Sequence, residues 1–285
     1  MVNFWETSHE NPMGIFYIYH GMAEHIDRYS YFATQLNQRG YHVVGHNHLG
    51  HGNNKENGQG VFARKEGWVK VCNEASVICD HFFNLFPEIP SYVFGHSMGS
   101  IVAITTMKKV KNLDGIFLTG TFLPSKGQLF FLKALLLFEN TIFRINENSK
   151  IHKINFQRLN SAFKNTRTDF DWLANDNSVV DKYINDPDCG FVCSNSLWLD
   201  FIYGCEMVLI NETYKNLDKN IKIFLASGAD DPCISNGDGI DGLFNYFKKR
   251  FKNVKLKKFE KMRHEIQNES CKDELLSLME SYLSS

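Results

Sequence analysis

Three places in this chain carry residue types that together could break an acyl bond. A serine sits between glycines in Gly95-His96-Ser97-Met98-Gly99, an aspartate pair precedes proline in Asp230-Asp231-Pro232, and a histidine stands in Arg263-His264-Glu265. A G-x-S-x-G run that ends an apolar strand and opens a helix is the signature of a nucleophile elbow, a sharp turn that exposes the hydroxyl while its glycines relieve crowding. Tyr92-Val93-Phe94 precedes Ser97 and a helical pattern from about Ser100 to Val110 follows it, so Ser97 is the candidate nucleophile. The positive end of that helix would lie beside a developing oxyanion. A serine needs a base and the base needs an orienting acid, which after such an elbow come in the order acid, then histidine. Asp231 and His264 stand in that order, each just past an expected strand, and loops beyond the carboxyl ends of parallel strands open on one edge of the sheet. Taken singly, the aspartate reads as a turn former and the histidine as a surface loop residue. Their joint order after the elbow is what makes Ser97, Asp231 and His264 a candidate triad. An oxyanion hole would use the backbone N–H of Met98 and one from the loop after the first strand, where His20-Gly21-Met22 makes Met22 the second donor.

The elements that must position these residues alternate strand and helix. Ile15 to Tyr19, Tyr41 to Gly45, Tyr92 to Phe94 and Leu113 to Thr119 read as buried strands. Helical spacing over Arg28 to Arg39, closed by Gly40, and over Trp68 to Phe86, stopped by Pro87, separates them. From Phe122 to about Cys205 the alternation fails and only helical patches appear. It resumes with Ile221 to Ala226, a helix stripe from Ile240 to Phe251, a strand from Val254 to Phe259 and a closing helix. The expected fold is α/β, a mostly parallel central sheet flanked by helices. Residues 1–121 and 206–285 form its two parts, and 122–205 form a helical cap inserted over one end.

Composition excludes several functions. The chain has 285 residues and a net charge of −1, with basic residues scattered among acids, so no basic stripe suggests nucleic acid. Its seven cysteines have no C-x-x-C spacing and read as buried free thiols of a reducing cytosol, which points to a cytoplasmic protein, and no signal-type apolar run opens it. The crowd of His25, His46, His48 and His51 lacks H-E-x-x-H spacing or a nearby acidic ligand set, so no metal is expected. Leu129 to Phe138 is too short to span a bilayer. It is expected to line an acyl pocket or pack on the core, and to touch membrane or micelle surfaces in passing.

The chain resembles the α/β-hydrolase superfamily, and within it the monoacylglycerol lipase and lysophospholipase group of serine aminopeptidase S33-like hydrolases. The resemblance rests on His20-Gly21-Met22-Ala23-Glu24-His25 with Arg28-Tyr29, Leu49-Gly50-His51-Gly52, Gly95-His96-Ser97-Met98-Gly99, Gly228-x-x-Asp231, and Arg263-His264-Glu265 with Asn268-Glu269. The stretch from Asn165 to Leu173 and Asp186-Pro187-Asp188-Cys189-Gly190-Phe191 resemble bacterial members. It implies hydrolysis of lipid-like acyl esters without a cofactor, on a small-molecule substrate. The Gly-x-x-Asp spacing favours Asp231 over Asp230, as does Pro232, which biases Asp231 toward an extended backbone. The same triad would serve an amidase, aminopeptidase or thioesterase, and a rival from another class is a hydrolase-fold protein that only binds a ligand. Two features depart from the family. Asn47 stands where relatives carry aspartate, and so few residues precede Ile15 that the leading edge of the sheet is expected to be trimmed.

Overall fold

The computed structural model describes residues 2–123, 125–142, 148–234 and 239–284. Seven strands form one sheet among these residues: Val2–Trp5 (β1), Gly14–Tyr19 (β2), Tyr41–His46 (β3), Ser91–His96 (β4), Leu113–Thr119 (β5), Lys222–Gly228 (β6) and Asn253–Phe259 (β7). Their order is β1-β3-β2-β4-β5-β6-β7. Every neighbour pair is parallel except β1 with β3, where Val2 faces His46 and Trp5 faces Val43. Strands β2, β3 and β4 are buried at every position, as central parallel strands covered on both faces must be.

The leading edge, expected to be trimmed, carries one short antiparallel strand, β1. Its residues alternate between exposed and half-buried, so Val2–Trp5 lacks the unbroken apolar run that betrays a central strand. It pairs with β3 and becomes the edge itself, anchored by Asn37 Nδ2 donating to the Trp5 carbonyl at 2.9 Å.

Successive side chains of each strand feed opposite faces. Phe16, Ile18, Phe94, Phe117 and Phe224 pack under Ser30–Gln38 (α1) and Lys272–Ser284 (α9). Ile15, Tyr17, Val93, Ile116 and Ile223 pack under Gly67–Leu85 (α2), Met98–Thr106 (α3) and Gly239–Lys248 (α8). Helix α3 begins at the residue after Ser97, two earlier than the sequence pattern suggested, and ends where Lys108 and Lys109 turn the chain back to solvent. All nine of its residues are buried, so its faces give no amphipathic signal to mark a boundary.

Between β5 and β6 lie Lys126–Ile142 (α4), Lys150–Asn160 (α5), Asn177–Asn185 (α6) and Asn195–Val208 (α7). Ser194 caps α7 by accepting from Leu197 N, and the helix buries Trp198, Phe201, Ile202 and Cys205 in the main core. Gly204 lies flat on the Trp68 indole, where any Cβ would collide with the ring. Leu159, Trp172, Leu173, Tyr183 and Cys189 form a smaller cluster of their own. Among the described residues no helix is long and apolar enough to cross a membrane.

Candidate active site

The turn after β4 is strained as an elbow should be. Ser97 sits at φ 52° and ψ −118°, a region that costs a non-glycine residue about 1–3 kcal/mol, and its N–H is tied to the Thr119 carbonyl at 2.9 Å. Glycine is required on both sides. A Cβ on Gly95 would come 2.6 Å from the Gly99 carbonyl oxygen, and one on Gly99 would run into the Tyr19 carbonyl of β2. The strain therefore persists because neighbouring strands and helix over-determine the turn.

The loops after β6 and β7 deliver the other two groups. Gly228 lies against the Met262 carbonyl with no room for a side chain, Ala229 N–H donates to Phe259 O at 2.8 Å and Asp230 N–H to Met262 O at 3.0 Å. Knitted this way, Asp231 is fully buried and its Oδ2 accepts from His264 Nδ1 at 2.9 Å, while Oδ1 accepts from Cys233 N–H at 2.8 Å. Asp230 is exposed. His264 is 2% exposed, held between the His96 and Trp172 rings with centroids at 4.7 and 4.9 Å. Burial, the largest single influence, favours its neutral form, but the Asp231 carboxylate and Cys233 together outweigh it and hold the imidazole well above its usual range.

The first loop closes the arrangement. A Cβ placed on Gly21 would lie 3.4 Å from Ser97 Cβ, so the chain from β2 passes directly beside the serine. Among the described residues neither Met22 N–H nor Met98 N–H has a hydrogen-bond partner. Met22, Ser97, Met98 and His264 all line one cavity of about 400 Å³, whose remaining wall is largely Leu129, Leu132, Leu135, Phe201, Ile202 and Trp172. Met22, Ser97, Met98 and His264 thus share one largely apolar space, and Asp231 stands behind it, joined to His264.

A buried ion network beside the site has no counterpart in the reading of single motifs. Arg28 donates from Nη1 and Nη2 to the two oxygens of Glu265 at 2.7 and 2.6 Å, and from Nη1 to Glu24 at 2.5 Å. Glu24 also accepts from Gly21 N–H at 2.5 Å and from Tyr29 Oη at 2.9 Å. Burial would raise the Glu265 carboxyl, and the Arg28 fork more than reverses it; for Glu24 burial prevails and the carboxyl rises. The network joins the loop bearing Met22 to the residue after His264. The sequence offered Glu24, Arg28 and Glu265 as motif members, but the spacing of 237 residues between Arg28 and Glu265 hides their contact. Trp172 is hidden for the same reason. Arg28→Ala leaves two carboxylates buried without their cation, so unfolding free energy should fall by about 3–5 kcal/mol. Urea titration of both proteins checks this, and a change within 1 kcal/mol would show that the network holds nothing.

Asn47 answers for the missing aspartate. Its Oδ1 accepts from Ile26 N–H at 2.8 Å and its Nδ2 donates to Asn53 Oδ1 at 3.0 Å, so the loop after β3 pins the loop after β2 with neutral groups. His20, in the same region, accepts from His48 N–H through Nε2 at 3.0 Å, and burial holds its pKa well down. His46, His48 and His51 are likewise buried rings with pKa values lowered by burial.

Known proteins share this architecture. The sequence of rat monoglyceride lipase is 26% identical over 196 residues, which cover 65% of this chain and 54% of that protein. Phospholipase YtpA of Bacillus subtilis is 29% identical over 119 residues, 40% of this chain and 43% of that protein. The chain thus spans about half the length of the curated relatives it matches. A carboxyl esterase from Bacillus coagulans, solved with glycerol, superposes with a TM-score of 0.86 over 99% of this chain and 93% of that one, at 23% identity, which shows a common fold. The profile of the family described as Serine aminopeptidase, S33 matches residues 10–271, from before β2 to the start of α9. With strands β2 to β7, the helices between them and the loops that carry Ser97, Asp231 and His264 inside that span, the chain belongs to the serine aminopeptidase S33 family of α/β-hydrolases.

Proposed function

We propose that the chain is a serine hydrolase of carboxylic esters with lipid-like acyl chains, monoacylglycerols or lysophospholipids, acting through an acyl-enzyme. Ser97 Oγ attacks the ester carbonyl carbon as His264 Nε2 takes its proton, with Asp231 holding the ring by Nδ1 and stabilising the imidazolium. The carbonyl oxygen, now negative, meets the N–H groups of Met22 and Met98. His264 then gives the proton to the departing alcohol oxygen. Water repeats the sequence on the acyl-enzyme, releasing the fatty acid and restoring Ser97.

The observation that carries this reading is the cavity, which runs from Ser97 between the leucines of α4 and the Phe201-Ile202 face of α7 and offers an acyl chain an apolar lining. Helix α4 has a second side. Phe130 and Phe138 are 75% and 56% exposed, and with Leu137 and Ile142 they turn outward, a surface suited to brief contact with a membrane or micelle. The test is a series of p-nitrophenyl esters from acetyl to octanoyl, with matched anilides as the amide control. Each methylene buried is worth roughly 0.8 kcal/mol, so kcat/KM should climb by up to about fourfold per carbon. The octanoyl rate should also step up where that ester begins to form micelles. A flat series would remove lipid-like substrates, anilide turnover at the ester rate would make the chain an amidase, and a smooth curve through the micelle threshold would remove the surface contact.

A further inference from the structure

Among the described residues, one cluster of side chains outside the site already described has the donor set of a metal centre. His25 Nε2 lies 2.8 Å from Asp186 Oδ2, and the donor atoms of His25, Asp186 and Cys189 all fall within 4.8 Å of one another. They come from two loops, one after β2 and one after α6, which are held in register by the backbone. Gly190 N–H and Tyr183 Oη both donate to the Ala23 carbonyl at 2.9 Å, Cys189 N–H donates to Asp186 O at 3.0 Å, and Asp188 N–H fixes Asp186 Oδ1 at 2.9 Å. Cys189 is 8% exposed, and its thiol has no hydrogen-bond partner among the described residues. The histidine crowd in the sequence gave no metal site because the acid and the thiol lie about 160 residues downstream of the one ring that meets them.

We propose that His25, Asp186 and Cys189 bind a borderline-soft divalent cation of the Zn²⁺ type, with a fourth position open to water. One imidazole nitrogen, one carboxylate oxygen and one thiolate suit Zn²⁺ or Cd²⁺, and the sulfur and nitrogen exclude a Ca²⁺ or Mg²⁺ preference. The protons balance simply. Nε2–H now donates to Asp186, so ligation moves that proton to Nδ1, which faces Asp27 Oδ2 at 3.7 Å in the manner of a carboxylate–histidine–metal relay. Cys189 gives its proton to solvent, one per ion bound. Burial pushes the thiol up, Arg28 acts the other way, and Glu24, Asp186 and Glu265 add to the rise, so the ion itself must drive the deprotonation. Lys55 is held away by its pair with Asp188 at 2.7 Å. Once bound, the ion would tie the α6–α7 segment to the loop that carries Met22.

The test titrates Cd²⁺ into the full chain, followed by the near-ultraviolet thiolate-to-metal charge-transfer band and by equilibrium dialysis. Every arm carries Cys233→Ser, because Asp231, Cys233 and His264 form a second close group. One equivalent should bind with the band, Zn²⁺ should displace it, and Cys189→Ser should abolish the band in a protein that still melts cooperatively. Asp186→Asn and His25→Gln should each weaken binding at least tenfold. Absence of binding, a band that survives Cys189→Ser, or stoichiometric Cd²⁺ without a band would each overturn the site. If Cys189→Ser does not fold, the two variants that leave the thiol in place decide alone, and unchanged affinity in both overturns it.

Discussion

Ser97→Ala is expected to give a folded protein whose ester hydrolysis falls by about 10³-fold or more. The turn is set by Gly95, Gly99 and the Thr119 carbonyl, none of which depends on the hydroxyl, so far-ultraviolet circular dichroism and the thermal midpoint should stay close to those of the parent. Alanine accepts the same strained φ no better than serine, so the backbone neither relaxes nor loses support. What disappears is the oxygen that the proposed mechanism joins to the acyl group. A fluorophosphonate should therefore label the parent and spare the variant. Retained turnover would remove Ser97 from the mechanism, and would leave the cavity as a binding site for a ligand that is not cleaved.

The second large effect separates two adjacent carboxylates. Asp231→Asn should lower kcat by about 10³ to 10⁴, since an amide can hold the wrong histidine tautomer and cannot stabilise the imidazolium. Asp230→Asn should cost less than about tenfold, because that side chain is exposed and the backbone N–H, which the change leaves in place, is what ties the residue to Met262. The pH profile gives an independent reading. His264 must be neutral to accept the serine proton, so activity rises as pH climbs through its folded pKa, and the Asp231 carboxylate keeps that pKa above the ordinary value of 6.5. In the Asp231→Asn protein burial acts on the ring with its main opposing charge removed. The acidic limb of what activity remains should then move to lower pH. A limb that stays in place, or a larger loss in Asp230→Asn, would transfer the orienting role away from Asp231.

Strands β2 to β6 were legible because parallel strands buried on both faces are written as short apolar runs, and Ile15 to Tyr19 or Ile221 to Ala226 can be little else, while the edge strand β7 showed itself by Val254, Leu256 and Phe259 among lysines. Strand β1 was not, since Val2–Trp5 needs only one half-buried side and reads like any polar terminus. The apolar stretch of α4 was visible, yet its direction was not: Leu129 and Leu136 are buried while Phe130 and Phe138 face out, and a helix apolar all round has no period to read. Ser97, Asp231 and His264 could be named in advance because each stands at a strand end in a fixed chain order. Their neighbours could not. The fork from Arg28 to Glu265, the Trp172 ring on His264 and the carbonyls of Asp171 and Leu173, which accept from Arg263 Nη1 and Glu265 N–H, exist only once distant loops meet. Asn47 shows the reverse case, a departure visible in sequence whose amide oxygen accepts the Ile26 N–H as a carboxylate oxygen can.

The pairing of β5 with β6 sets the order in which the molecule can be assembled. Gly115 pairs with Lys222, so the sheet is continuous only after roughly a hundred further residues have been made. At a synthesis rate of about 5–20 residues per second, the outer edge of β5 stays unpaired for several seconds on the ribosome, with Ile116, Phe117 and Leu118 at its centre. Closing so long an excursion costs little more than closing one half its length, about 0.6 kcal/mol, so the hazard is one of time rather than of equilibrium. Helix α7 shortens that exposure for part of the surface, because it emerges before β6 and seats Gly204 on Trp68 of the half already made. The nucleophile turn can thus form early on β4, but a chain halted before Phe259 has made Asp231 and not His264, so in the proposed mechanism the serine has no base until the last strand and the loop after it are in place.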